Sequence, residues 1–380
     1  MKKILSLALA CILMLGLFAG CAGTTVVINE CTCPEGQDTP DSTEPSKPAV
    51  TEPIITGEGA VKTGLSISTS VSDSTSATAE ADGAVKYDIT LAAVTVDDEG
   101  VITSCYIDSV PATVSMTAQG QITSDITAAV STKNELGENY GMVAWGGAVA
   151  EWDAQVAALC SFAVGKTVDE LKNGAIDETG KAPQGSDLAT SATIYLGGYV
   201  SAIEAAVANA THLGAQQGDE LRMVTLNSLA GSVSTSEEGN GCAQLETNIA
   251  VVTVKDGVIT SCIIDSVQAD VAFDATGTIT TDLTAPILSK NEKGADYGMV
   301  AWGGAIAEWN EQAAAFAAYV TGKTAEEVAG IAITETTKPA DGTDLATSVT
   351  ISIGGFQALI AKALARCAEP SCGCAFCACS

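Results

Sequence analysis

Hydroxyl side chains crowd the two segments of this chain with the strongest chemical character. Asp187-Leu-Ala-Thr-Ser-Ala-Thr193 and Asp344-Leu-Ala-Thr-Ser-Val-Thr350 each place a carboxylate ahead of a threonine, with Thr190, Ser191 and Ala192, or Thr347 and Ser348, between. No base is at hand to activate these hydroxyls. The chain has 1 histidine, His212, with no counterpart near the second segment, so a Ser/His/Asp set is excluded. Phosphate-cradling glycine loops of the Walker or dinucleotide type are absent as well. Aromatic residues recur in step: Tyr140 and Met142 precede Trp145 and Trp152, as Tyr297 and Met299 precede Trp302 and Trp309. The tryptophans of each pair fall on one face of an expected helix, where rings either pack a core or stack on a flat ligand. Asp108 and Asp265 end an expected strand and read as turn residues more than as proton donors. Lys166 and Lys323 follow a helix-ending glycine and suit the negative end of a helix dipole. Of 13 cysteines, Cys105 and Cys262 read as buried small hydrophobes. The run Cys367, Cys372, Cys374, Cys377 and Cys379 is dense enough to hold a soft metal or to form disulfides, though it matches no iron–sulfur spacing.

These residues are written twice. Tyr140 to Trp152 recurs as Tyr297 to Trp309 with one replacement, Val149 by Ile306, and Gly100–Cys105 recurs as Gly257–Cys262 at the same offset. The offset is 157 residues, too long for a solenoid repeat and right for a whole domain duplicated in tandem. The copies are expected at 58–210 and 211–366. In each, Ile89–Val96 and Val101–Ile107 alternate about Asp97-Asp98-Glu99-Gly100 as a hairpin, and 141–164 has helical spacing. Capping-box spacing at Thr167-Val-Asp-Glu170 and Thr324-Ala-Glu-Glu327 starts a short second helix. Residues 192–196 then read as a β-strand broken by Gly197-Gly198 before a last helix; 349–353 and Gly354-Gly355 repeat this. The fold class expected is α+β, twice.

Of 380 residues, 46 are acidic and 17 basic, a net charge of −29 that phosphate backbones repel, so nucleic-acid binding is excluded. No Cys-x-x-Cys is followed by His, which excludes c-type haem. Lys2 and Lys3 followed by an apolar run to Phe18 read as a secretory signal peptide over 1–20. Leu17-Phe18-Ala19-Gly20-Cys21 resembles a bacterial lipobox, which implies lipidation of Cys21 with diacylglycerol and fatty acid of the palmitate kind. Residues 21–57, punctuated by prolines among Thr, Ser, Glu and Asp, read as a disordered tether. The expected location is therefore the outer face of a cell membrane, held by lipid.

The Asp187–Thr193 and Asp344–Thr350 segments resemble the flavinylation motif of extracytoplasmic FMN-binding domains: Asp, two variable residues, Ser or Thr, Gly or Ser, Ala, Thr. The hairpin, the Tyr-Gly-Met segment, the Glu-Trp helix and Gly-Lys-Thr extend the likeness over most of 58–366, toward two-domain FMN-binding lipoproteins of Gram-positive bacteria. The resemblance implies a flavin transferase that joins the FMN phosphate to Thr193 and Thr350 as a phosphoester. In it, Asp187 and Asp344 are read by that enzyme or pin the loop, and small neighbours let it approach. Val349 departs from the usual alanine. Tyr140, Met142, Tyr297 and Met299 become pocket walls. The function implied is an electron-transfer flavoprotein, a redox carrier more than a substrate-specific enzyme, taking electrons from a membrane donor and passing them to a soluble or surface acceptor. The alternatives are an unmodified surface lipoprotein that binds a ligand or partner between its repeats, and a metal-holding one in which the cysteine tail matters.

Overall fold

The computed structural model describes residues 59–365. The expected signal sequence, Cys21, the tether and the C-terminal cysteines lie outside the described residues. The fold is α+β, with helices on two three-stranded antiparallel sheets.

The first sheet is built on one long hairpin, β2 (Gly83–Val96) and β3 (Ile102–Met116), with β1 (Lys62–Ser70) added along β2. The hairpin runs well beyond the expected 89–107. β1 escaped the sequence reading because its Lys-Thr-Gly-Leu-Ser-Ile-Ser-Thr-Ser carries few large apolar residues to mark an alternation. In the turn, Asp97 Oδ1 accepts from Val101 N at 2.8 Å. Six helices follow: α1 (Lys133–Leu136), α2 (Met142–Gly146), α3 (Trp152–Ala163), α4 (Val168–Ala175), α5 (Asp187–Ser191) and α6 (Gly197–Ala208). The second half repeats the order with β4 (Glu220–Ser228), β5 (Gly241–Lys255) and β6 (Val258–Phe273), then α7 (Lys290–Lys293), α8 (Met299–Gly303), α9 (Trp309–Val320), α10 (Ala325–Ala329) and α11 (Gly354–Leu364). A 3-10 turn, Leu345–Thr347, stands where the first half has α5.

Alternation along the strands sorts their side chains into two layers. Ala92, Val94 and Val96 of β2 meet α3 and α6 in one core, and Ala250, Val252 and Val254 meet α9 and α11 in another. The opposite faces, with Val85, Tyr87, Ile89 and Leu91 from one sheet and Leu245, Ile249, Val251 and Phe273 from the other, share a third core. The order through the molecule is thus helices, sheet, sheet, helices. The halves also exchange matching bonds: Thr235 N donates to Gly120 O and Ala77 N to Gly277 O, both at 2.9 Å, while Ile122 N and Ile279 N donate to Ser234 Oγ and Ser76 Oγ, both at 3.0 Å. Equivalent residues thus play both partners, the mark of an isologous contact.

Two expectations fail in the helical region. The helix expected over 141–164 is two helices, because α2 ends on Gly147 in the left-handed region (φ 63°) and a loop intervenes before α3. Trp145 and Trp152 therefore do not share a face. Trp152 is buried in the core and Trp145 is 90% exposed, as Trp302 is 89% exposed. The expected strands 192–196 and 349–353 are not strands, and Gly197-Gly198 opens α6 where a break was expected. The capping boxes at Thr167 and Thr324 are formed.

Candidate functional site

Thr193 sits in an irregular loop between α5 and α6, and a single buried side chain explains its backbone. Gln155 lies on the inner face of α3, which Trp152, Val156, Leu159 and Ala163 fix against the sheet. Its Oε1 accepts from Thr193 N at 2.8 Å, Thr193 Oγ1 at 3.2 Å and Ile194 N at 3.2 Å, while Nε2 donates to Ala150 O at 2.8 Å. Amides that a strand neighbour would have taken go to a glutamine, which is why no strand forms. Gln312 repeats the arrangement: it accepts from Thr350 N at 2.8 Å, Thr350 Oγ1 at 3.2 Å and Ile351 N at 3.2 Å, and donates to Ala307 O at 2.8 Å. Thr193 is exposed and Thr350 half-buried, and each hydroxyl, like the backbone beside it, is tied to the buried glutamine.

Beside Thr193 is a cavity of about 390 Å³, lined by Ser68 and Thr90 of the sheet, Lys133, Tyr140, Met142, Trp152, Ile194, Tyr195, Gly198 and Tyr199. That volume lies in the usual range for small-molecule sites, about 300–1,000 Å³. Its walls are set by specific contacts. The Glu151 carboxylate accepts from Met142 N at 2.8 Å and Val143 N at 2.9 Å, tying α2 to the start of α3. Trp152 meets Tyr199 edge-on at 5.8 Å, and its indole N–H donates to the Tyr199 hydroxyl at 2.9 Å. Gly141, at φ 81°, starts α2; a Cβ there would collide with the Trp145 ring.

One full charge belongs to this wall. Lys133 is 6% exposed, with its ammonium 5.5 Å from the Tyr140 ring centre, 5.2 Å from that of Trp152 and 3.4 Å from Asp88 Oδ2. Ring faces and one carboxylate compensate its burial in part. Lys290 is held the same way, 5.6 Å from Tyr297, 5.1 Å from Trp309 and 3.4 Å from Glu246. In the second half Ser352 and Phe356 replace Tyr195 and Tyr199, and Phe356 lies edge-on to Trp309 at 5.8 Å.

The remaining expected site residues are spread unevenly. Tyr140 and Met142 line the cavity, and Tyr297 and Met299 pack against the equivalent core. Asp187 and Asp344 are exposed, and their backbone carbonyls accept from Thr190 Oγ1 and Thr347 Oγ1 at 2.7 Å. Ser191 and Ser348 are exposed; Ala192 and Val349 are buried, and Val349 packs as a core residue. Asp108 and Asp265 are not turn residues. They lie within β3 and β6, buried, and each accepts from two amides: Ser109 N at 2.8 Å and Asn134 N at 3.1 Å, or Ser266 N at 2.7 Å and Asn291 N at 3.0 Å. Burial pushes both carboxyls up to about 6 despite those bonds. Lys166 Nζ donates to Phe162 O at 2.6 Å, the expected role at a helix end. Cys105 and Cys262 are buried, and burial raises the Cys262 thiol to about 12. Among the described residues no cluster could hold a metal, and no helix is long and apolar enough to cross a membrane.

Gln155, Gln312, Glu151, Glu308, Lys133 and Lys290 went unnoticed in the sequence. The signal was there: Glu-Trp-x-x-Gln and Lys-Asn-Glu recur at the 157-residue offset that drew attention to the aromatics. The arrangement can hold a flat, partly anionic group against aromatic walls and a buried ammonium, next to an exposed threonine. Compared with protein-family models, with curated proteins and with solved structures, the chain matches none of them.

Proposed function

We propose that this chain is a lipid-anchored, extracytoplasmic electron-transfer flavoprotein with FMN esterified to Thr193 and to Thr350. The observation that carries the reading is the glutamine-pinned threonine beside an aromatic cavity with a buried lysine, since an attachment hydroxyl, ring walls and a counter-charge are the groups a tethered flavin nucleotide needs. Attachment forms a bond from Thr193 Oγ1 to phosphorus; the hydroxyl proton and the leaving group of an activated flavin nucleotide depart, and a flavin transferase does the work. Bound flavin supplies reversible electron transfer. The chain's own residues do the rest. Gln155 holds the loop so that Thr193 faces outward, and Trp152, Tyr140, Met142 and Tyr199 offer surfaces to a ring. Lys133 keeps a positive charge at the wall, where added electron density would be stabilised. Covalent attachment keeps the local flavin concentration high outside the cell, where free FMN would be lost. A membrane donor and a soluble or surface acceptor complete the circuit.

Intact-mass measurement of protein from its own host tests this. Two additions of FMN less water are expected, with flavin fluorescence in the gel, and Thr193→Ala and Thr350→Ala should each remove one. Colourless protein from cells with an active flavin transferase would overturn the proposal. The rival reading, ligand capture between the halves, draws on other residues, because a separate cavity lies there.

A further inference from the structure

The two halves are not equivalent at one place, and the difference suggests a ligand. In the first half the Glu135 carboxylate closes the α1 capping box, Oε2 accepting from Thr132 N at 2.9 Å. Its other oxygen, Oε1, meets the ammonium of Lys362, which reaches across from α11 and also donates to Thr225 O at 2.8 Å. The second half has Glu292 at the equivalent position, with the same capping bond, Oε2 accepting from Ser289 N at 2.7 Å. The equivalent of Thr225 is Ile67, and the equivalent of Lys362 is Ala205, on α6 and exposed. Among the described residues no cation reaches Glu292. In place of one there is a cavity of about 560 Å³, whose wall includes both Ile67 and Glu292.

The rest of that wall fits an amphipathic cation. Leu65, Leu213, Ile263, Ala314 and Ala318 make it largely apolar, and Ile263 replaces the larger Tyr106 of the first half. The charged groups in the wall are all carboxyls, those of Glu292 and Asp265. Asn291, Asn310 and the carboxyl-bearing Asp265 stand in the same wall as Glu292. On the same edge of β1, Leu65 O accepts from Asn209 Nδ2 at 3.0 Å, which shows that carbonyls here point away from the sheet. With a net charge of −29, the chain also attracts cations to any such opening.

We propose that this cavity binds a primary aliphatic amine as its ammonium ion, with the charge on Glu292 and the Ile67 carbonyl, where Lys362 sits in the other half, and the carbon chain against Leu65, Leu213 and Ala318. The proposal is independent of flavin. The test uses the full chain and hexylammonium as probe, titrated by calorimetry, with 1-hexanol as the neutral control. Saturable binding of one hexylammonium is expected, at least tenfold tighter than hexanol. Glu292→Gln should weaken it at least tenfold, whereas Glu135→Gln should leave it unchanged. Ala205→Lys should abolish it by placing a lysine of the chain in the cavity. Absence of saturable binding, equal binding of hexanol, or binding unaffected by Glu292→Gln would each overturn the proposal; the Gln variant decides the matter even if Ala205→Lys fails to fold.

Discussion

Replacing Gln155 by leucine keeps its bulk in the core but removes the acceptor of three hydrogen bonds and the donor of a fourth. The Thr193 hydroxyl can turn to water. The Thr193 and Ile194 amides and the Ala150 carbonyl lose a fixed partner, and each orphaned backbone group costs about 1–3 kcal/mol when buried. The loop is open on the Thr193 side, so the low end applies, giving about 3 kcal/mol for the three groups. Urea unfolding of the unloaded protein measures this directly. Intact mass of protein from the native host then reports the proposed flavin attachment at each threonine, and the first increment should be lost while the second, at the site held separately by Gln312, persists. Gln155→Glu provides a contrast. A carboxylate still accepts from both amides but cannot donate to Ala150 O, and it sets a negative charge where Gln155 Oε1 lies, 3.2 Å from the Thr193 hydroxyl, so the Thr193 loop should keep its amide bonds while an incoming phosphate is repelled. A Gln155→Leu protein within about 0.5 kcal/mol of wild type, the usual scatter of neutral surface changes, and fully loaded at Thr193 would refute the claim that this glutamine presents the hydroxyl.

Three further outcomes are expected. Burial raises Asp108 and Asp265 from 3.8 to about 6, so the folded chain takes up these protons at higher pH than the unfolded one. Their contribution is greatest below pH 3.8 and is lost as pH rises through about 6, by roughly 3 kcal/mol per site at about 1.4 kcal/mol per pH unit. Asp108→Asn should flatten that part of the stability–pH curve, and an unchanged slope between pH 4 and 7 counts against it. Gly141→Ala meets both a positive φ and the Trp145 ring; it should cost about 1–2 kcal/mol and alter tryptophan emission, which fluorescence-detected unfolding records. Lys362→Met breaks a half-exposed bridge between the halves, and double-mutant cycles with Glu135→Gln should give a coupling of about 1 kcal/mol or less.

Much of the fold was legible because strands and capping boxes leave local marks. The Asp97–Gly100 turn, the alternation around it and the Thr-x-x-Glu starts at 167 and 324 are short-range signals, and each appears where expected. What could not be read depends on contacts distant in sequence. Nothing local tells that Thr193 and Ile194 give their amides to a glutamine 38 and 39 residues earlier, so a Thr-rich stretch reads as a strand. A seven-residue tryptophan spacing likewise reads as one helix face until Gly147 breaks it, leaving one ring buried and the other in water. Asp108 was misread for the same reason. Its partner Asn134 lies beyond the strand, and only the folded chain shows a buried carboxylate receiving the start of α1.

The core shared by the two sheets has a consequence during synthesis. When the first half leaves the ribosome, Val85, Tyr87, Ile89 and Leu91 have no opposing surface until β5 and β6 are made. At about 5–20 residues per second, a lag of 157 residues leaves that greasy face bare for roughly 8–30 s. Nascent chains on crowded polysomes would find one another's bare faces in that interval. The matching bonds that join the halves within one molecule could equally join first halves of two.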